Sequence, residues 1–144
     1  MEPIPAAFVV HSLRHLRAAL AAGAAAGRPI IALSAPGASA FAGASWFLAL
    51  IEQGATEFPD VPLTAILDCG DRGGDAVAAL QAGAMHLIFT GHLGALARLK
   101  GIAADYGASV DDRRPSAFDL LNTADPVYAA RAACEGLPAA KAFG

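Results

Sequence analysis

Apolar residues along this chain fall into short dense runs separated by longer stretches with helical spacing. The first run, Ala7-Phe8-Val9-Val10, ends at His11-Ser12 and gives way to a helix from Leu13 to Ala26. In that helix Leu13, Leu16 and Leu20 recur at three and four residues and form one buried stripe. Ser12 suits the N-cap, where a hydroxyl accepts from a first-turn amide, and Gly27 supplies the stop. The second run, Pro29 to Leu33, passes through Ser34-Ala35-Pro36-Gly37 into a helix expected from Ser39 to Gln53. Around it Phe41, Trp46, Phe47, Leu48, Leu50 and Ile51 leave almost no polar face, which predicts cover on more than one side.

Leu63 to Leu67 is the third run and ends in Asp68-Cys69-Gly70-Asp71-Arg72-Gly73-Gly74, with Asp75 as the expected cap of the next helix. His86 to Phe89 is the fourth; it ends in Thr90-Gly91-His92 ahead of a helix from Leu93 to Tyr106. A weak fifth strand, Ala108 to Val110, follows. The tail carries two expected helical pieces, Ser116 to Leu121 and Asp125 to Cys134, the second with Pro126 at its first position.

Near-continuous apolar strands alternating with helices predict a parallel sheet covered on both faces. Right-handed crossovers make this a three-layer, doubly wound (flavodoxin-like) α/β sheet of four to five strands. The expected division is a single α/β domain over 1–115 and a short helical C-terminal arm over 116–144, packing on the domain or on a partner subunit. Half of a β/α barrel that pairs with a second copy is the competing architecture.

Composition narrows the function classes. Ten basic residues stand against thirteen acidic ones, with a net charge of −3, so there is no electrostatic footprint for nucleic acid. A hydrophobic content of 56% with 16% charged residues is the opposite of a disordered chain. The uncharged stretch from Pro29 to Ile51 has the length of a membrane span, but Pro36-Gly37 divides it into a strand and a helix too short to cross, so no membrane is expected. Met1-Glu2-Pro3 does not begin a secretory leader, and two distant cysteines fit a reduced, cytoplasmic protein. Cys69, Cys134 and four scattered histidines lack the paired spacing of a metal site, so no metal is expected. Soluble surfaces usually carry about 25–35% charged residues, and the shortfall predicts apolar surface that a partner covers. A homo-oligomer is the expected arrangement, with the Trp46–Phe47 helix and the Phe118–Tyr128 tail as its interface elements.

Chemistry is expected at the carboxyl ends of the strands, where parallel sheets bind ligands. Ser34, Gly37 and Ser39 form a loop that can cradle an anion, although it has neither a P-loop lysine nor a dinucleotide fingerprint. An ordinary strand-to-helix turn is the plain alternative. Asp68 and Asp71 stand three apart beside Arg72; they can share a metal or bind a ligand, or one can be a proton acceptor, and the plainer reading is that Asp68 accepts backbone amides while Asp71 pairs with Arg72 at the surface. Cys69 at a helix start is either an activated thiol or a small core residue. Thr90 and His92 place a hydroxyl and an imidazole beside a helix N-terminus, as a neutral base or as loop residues. His11 allows the same two readings, while His15 and His86 are assigned to structure or surface. No nucleophilic triad can be read from spacing, because its members would come from different strands.

The stretch from Trp46 to Gly91, with Phe58-Pro59-Asp60-Val61-Pro62 before one strand and Ala78-Ala79-Leu80-Gln81-Ala82-Gly83-Ala84 before the next, is similar in rhythm to response-regulator receiver domains. Ser34 takes the place of the phospho-accepting aspartate, His11-Ser12 replaces the paired acids, and no lysine follows the fourth strand. The resemblance therefore implies a degenerate receiver-like fold without phosphoryl chemistry. Two functions follow from the sequence: a small protein that binds an anionic metabolite at its strand ends, cofactor and reaction unknown, or a non-catalytic interaction or regulatory module.

Overall fold

A computed structural model describes residues 3–136. Met1, Glu2 and the end of the expected C-terminal arm, residues 137–144, lie outside the described residues. Six parallel strands, all but the last two separated by helices, form the doubly wound α/β class expected from sequence, with one or two strands more than the pattern predicted. They are β1 Ala6–Val9, β2 Ile30–Leu33, β3 Leu63–Asp68, β4 His86–Ile88, β5 Ser109–Asp111 and β6 Phe118–Asp119. The helices are α1 Leu13–Ala26, α2 Ala44–Glu57, α3 Gly73–Ala82, α4 Leu93–Asp105 and α5 Pro126–Cys134. Among the described residues no helix is long and apolar enough to cross a membrane.

The chain divides into two compact units. Among the described residues the first comprises 3–33, 50–64 and 116–136; the second comprises 34–49 and 65–115. In the first, β1 lies between β2 and β6, with Phe8 in register with Ala32 on one side and with Phe118 on the other. The chain thus leaves β1 toward β2 and later returns to the opposite edge of β1, which is the reversal that defines a doubly wound sheet. Its core holds Phe8, Leu16, Leu20, Ile30, Leu33 and Leu120, all fully buried. Helix α1 packs on α5, and both bury small residues, Ala18, Ala19 and Ala22 in α1 and Ala129, Ala130 and Ala132 in α5; small side chains let two helices approach closely. Arg28 ties this unit's ends together by donating to the carbonyl oxygens of Ile4, Pro5 and Cys134. Both helices have the caps their sequences announce: Ser12 Oγ accepts from the His15 amide at 3.2 Å, and Asp125 Oδ1 accepts from that of Tyr128 at 3.1 Å.

In the second unit β4 lies between β3 and β5, with Leu67 opposite Leu87 and His86 opposite Ser109. Phe47, Leu67, Leu80, Leu87, Ile88 and Phe89 fill its core. Each such side chain contributes about 1.5–3 kcal/mol when buried.

Four expectations are corrected. Ser116–Leu121 is not helical; Phe118–Asp119 adds β6 to β1, because the Phe118 ring packs tilted against Phe8 at 6.2 Å and the Leu120 amide reaches the Val9 carbonyl. The second helix begins at Ala44, not Ser39: Ala38–Ala40 form one 3-10 turn, and Gly43 at φ 81° interrupts the helical path. That helix is not covered all round, since Trp46 is exposed while Phe47 is buried. Asp75 does not cap α3, because Gly73 and Gly74 already lie in the helix and Arg72 occupies the cap position.

Candidate functional site

The strand ends of the second unit bring together Ser34, Gly37 and Asp68 around a residue the sequence did not single out, Arg114. Asp68 ends β3, is 3% exposed, and would be costly to bury as an unpaired carboxylate. It is fully engaged. Its Oδ1 accepts from the Gly37 amide at 3.0 Å and from the Gly70 amide at 2.8 Å, and its Oδ2 accepts from Arg114 at 2.6 Å. The Asp68 amide donates to Ser34 Oγ at 2.9 Å, and Arg114 also donates to the Ser34 carbonyl at 3.1 Å. Gly37 offers its amide at φ 64°, a conformation that disfavours residues with a Cβ. Asp68 is thus the anchor of the loop, accepting backbone amides, whereas the expected Asp71–Arg72 pair is corrected, because Arg72 pairs with Asp75 one helical turn on.

The remaining candidates have other partners. Ser39 Oγ donates to Asp75 Oδ2 at 3.4 Å, and Arg72 pairs with the same carboxylate at 2.6 Å. Asp71 is exposed, and Thr90 is engaged through its amide, which donates to the Gly70 carbonyl at 2.8 Å. His92 caps α4, its Nδ1 accepting from the Gly94 amide at 3.0 Å. The imidazole of His92 and the carboxylate of Asp68 are therefore committed to separate tasks. Burial pushes the Cys69 thiol up to about 11, against a hydrogen bond with Ser39 and with further upward pressure from the Asp68 and Asp75 charges. Such a thiol stays protonated and unreactive.

Beside this anchor a groove of about 330 Å³ runs along β4 and β5. Ile66, Leu87 and Ile88 give it an apolar surface; Arg113, Arg114 and Asp111 lie at one end, and His86 and Ser109 at the other. His86 Nδ1 and Ser109 Oγ share a hydrogen bond of 3.0 Å across their register pair. Two of the five N–H groups of Arg114 are bound to Asp68 and Ser34, which fixes the plane of the guanidinium where it borders the groove. Sequence reading missed Arg114 because its partner lies 46 residues earlier. The local signal, an arginine pair after a weak strand, looks the same as a surface turn. Among the described residues no group of three or more His, Cys, Asp or Glu side chains is placed to hold a metal ion.

No family model matches the chain, and no curated protein matches it. Among solved structures it is similar to a protein of Coccidioides immitis provisionally assigned as a fructose-1,6-biphosphate aldolase, with a TM-score of 0.57 and 19% identity. The match covers 75% of this chain and 40% of that one, so the part in common spans less than half the length of the protein it resembles. At this identity the likeness establishes the α/β fold alone.

Proposed function

We propose that the second unit binds a small anionic metabolite in the groove bordered by Arg114. The observation that carries this reading is the fixed guanidinium, held by buried Asp68 and the Ser34 carbonyl beside exposed Arg113. Asp68 neutralises Arg114 and Asp111 stands beside Arg113, so an anion would be drawn by the exposed Arg113 and by the N–H groups of the fixed Arg114 fork that Asp68 and Ser34 leave over, a donor array that suits carboxylate or phosphate. The volume, about 330 Å³, suits a small metabolite. The structural neighbour is named for a doubly phosphorylated sugar, which belongs to the same chemical class.

The test uses inorganic phosphate as the probe and amide and side-chain NMR shifts as the readout. Saturable shifts confined to His86, Ser109, Asp111, Arg113 and Arg114 are expected. Arg113→Gln, which leaves the Asp68–Arg114 anchor intact, should weaken phosphate binding severalfold. Shifts that do not saturate, or that Arg113→Gln leaves unchanged, would sink the proposal.

A further inference from the structure

The first unit carries a separate constellation. β1 is the strand at which the sheet reverses, with β2 on one side and β6 on the other. In open α/β sheets the carboxyl ends flanking such a reversal form the crevice in which ligands bind. His11, two residues beyond β1, and Asp119, the last residue of β6, meet there. His11 Nε2 donates to Asp119 Oδ1 at 2.7 Å, and the same oxygen accepts from the Leu121 amide at 2.9 Å. The proton on Nε2 leaves Nδ1 of neutral His11 with the lone pair. The His11 side chain is 20% exposed, so the ring is held without being sealed.

The second histidine has a different task. His15 Nδ1 accepts the His11 amide at 3.1 Å, and the two rings meet edge to face at 5.7 Å. Burial first, then repulsion from His11 in its protonated form and from Arg14, hold the His15 pKa below the ordinary value, while Asp119 opposes them. A neutral His15 positions the His11 backbone and adds no charge beside the imidazole.

We infer that His11 is a general base positioned by Asp119, acting on a small molecule that offers a hydroxyl or an acidic C–H at the carboxyl ends of β1 and β6. The substrate proton passes to His11 Nδ1, the bonding pair stays on the substrate as an alkoxide or enolate, and the Asp119 carboxylate balances the imidazolium. This inference is independent of the anion groove, which belongs to the second unit.

The test is the reactivity of the histidines in the intact protein toward diethyl pyrocarbonate, which acylates unprotonated imidazole, together with the tautomer of His11 from long-range nitrogen NMR. His11 is expected to be protonated on Nε2 and to react severalfold faster than exposed His86 and His92. Asp119→Asn, similar in shape but uncharged, should slow His11 severalfold and leave His86 and His92 unchanged; Asp119→Glu should restore part of the rate. A His11 protonated on Nδ1, or one slower than His86 and His92, overturns the inference, and neither result requires a folded variant. An unchanged His11 rate in folded Asp119→Asn overturns it as well.

Discussion

Asp68 shows how a polar side chain at a strand end can be structural. Its two oxygens satisfy the amides of Gly37 and Gly70 and the guanidinium of Arg114. Asp68→Ala leaves all three groups without their partner, and breaking a buried pair in this way costs about 3–5 kcal/mol. The expected outcome is a large fall in the urea midpoint, so loss of binding in that variant would report unfolding. Glu57 supplies the pH-dependent counterpart. Hydrogen bonds from Arg17 and then Gln53 lower its pKa from 4.5 to about 2. The unfolded chain then binds the proton more readily, so the stabilisation is complete above the unfolded value and fades as pH falls toward 2. Urea midpoints of wild type and Glu57→Gln should differ at pH 6, draw together below pH 4.5 and converge as pH falls to about 2.

At the level of elements, glycines inside helices separate close packing from open surface. A Cβ on Gly23 in α1 would lie 2.6 Å from Ile30 Cγ1 and 2.8 Å from the Arg28 carbonyl oxygen. The backbone contact cannot be relieved by a rotamer change, so Gly23→Ala should destabilise by about 1–3 kcal/mol. Gly101 in α4 has nothing within 4 Å, and Gly101→Ala should stabilise by about 0.5–1 kcal/mol through helix propensity. Thermal midpoints moving in opposite directions for the two variants would bear this out. Elements with strong local signals were legible: α1 with its Ser12 cap and α5 with Asp125 and Pro126 lie where the pattern puts them. β6 was not, because two residues cannot display a period and Phe118–Asp119 are extended only through their pairing with β1.

For the molecule as a whole, the low charge has a visible counterpart. Phe41 and Leu93 are 74% and 76% exposed, and Trp46, Val127 and Tyr128 are exposed as well. We propose that such surface is covered by self-association. Native mass spectrometry should then show an oligomer, and Phe41→Asp should shift it toward the monomer with an unchanged thermal midpoint. A monomer at all concentrations would favour the interaction-module reading, in which a different protein supplies the cover. Phe47, an expected interface residue, is core and unsuited to the same experiment.

The linear pattern by itself determined the alternation of strands and helices, the parallel α/β class, the main caps and the end of each strand where polar residues gather. These follow from local periodicity and from backbone groups that neighbouring side chains satisfy. Tertiary structure alone decided which polar residues meet. Arg114 reaches Asp68, and Asp119 reaches His11, across 46 and 108 residues, and no local preference encodes such separations. Among the candidates picked by turn chemistry, Ser34, Gly37 and Asp68 converge, whereas Arg72 and His92 satisfy groups beside their own loops and Ser39 reaches Asp75 in α3 instead. A side chain at a strand end can serve either the backbone beside it or a partner from another strand. The packing of the sheet decides between them.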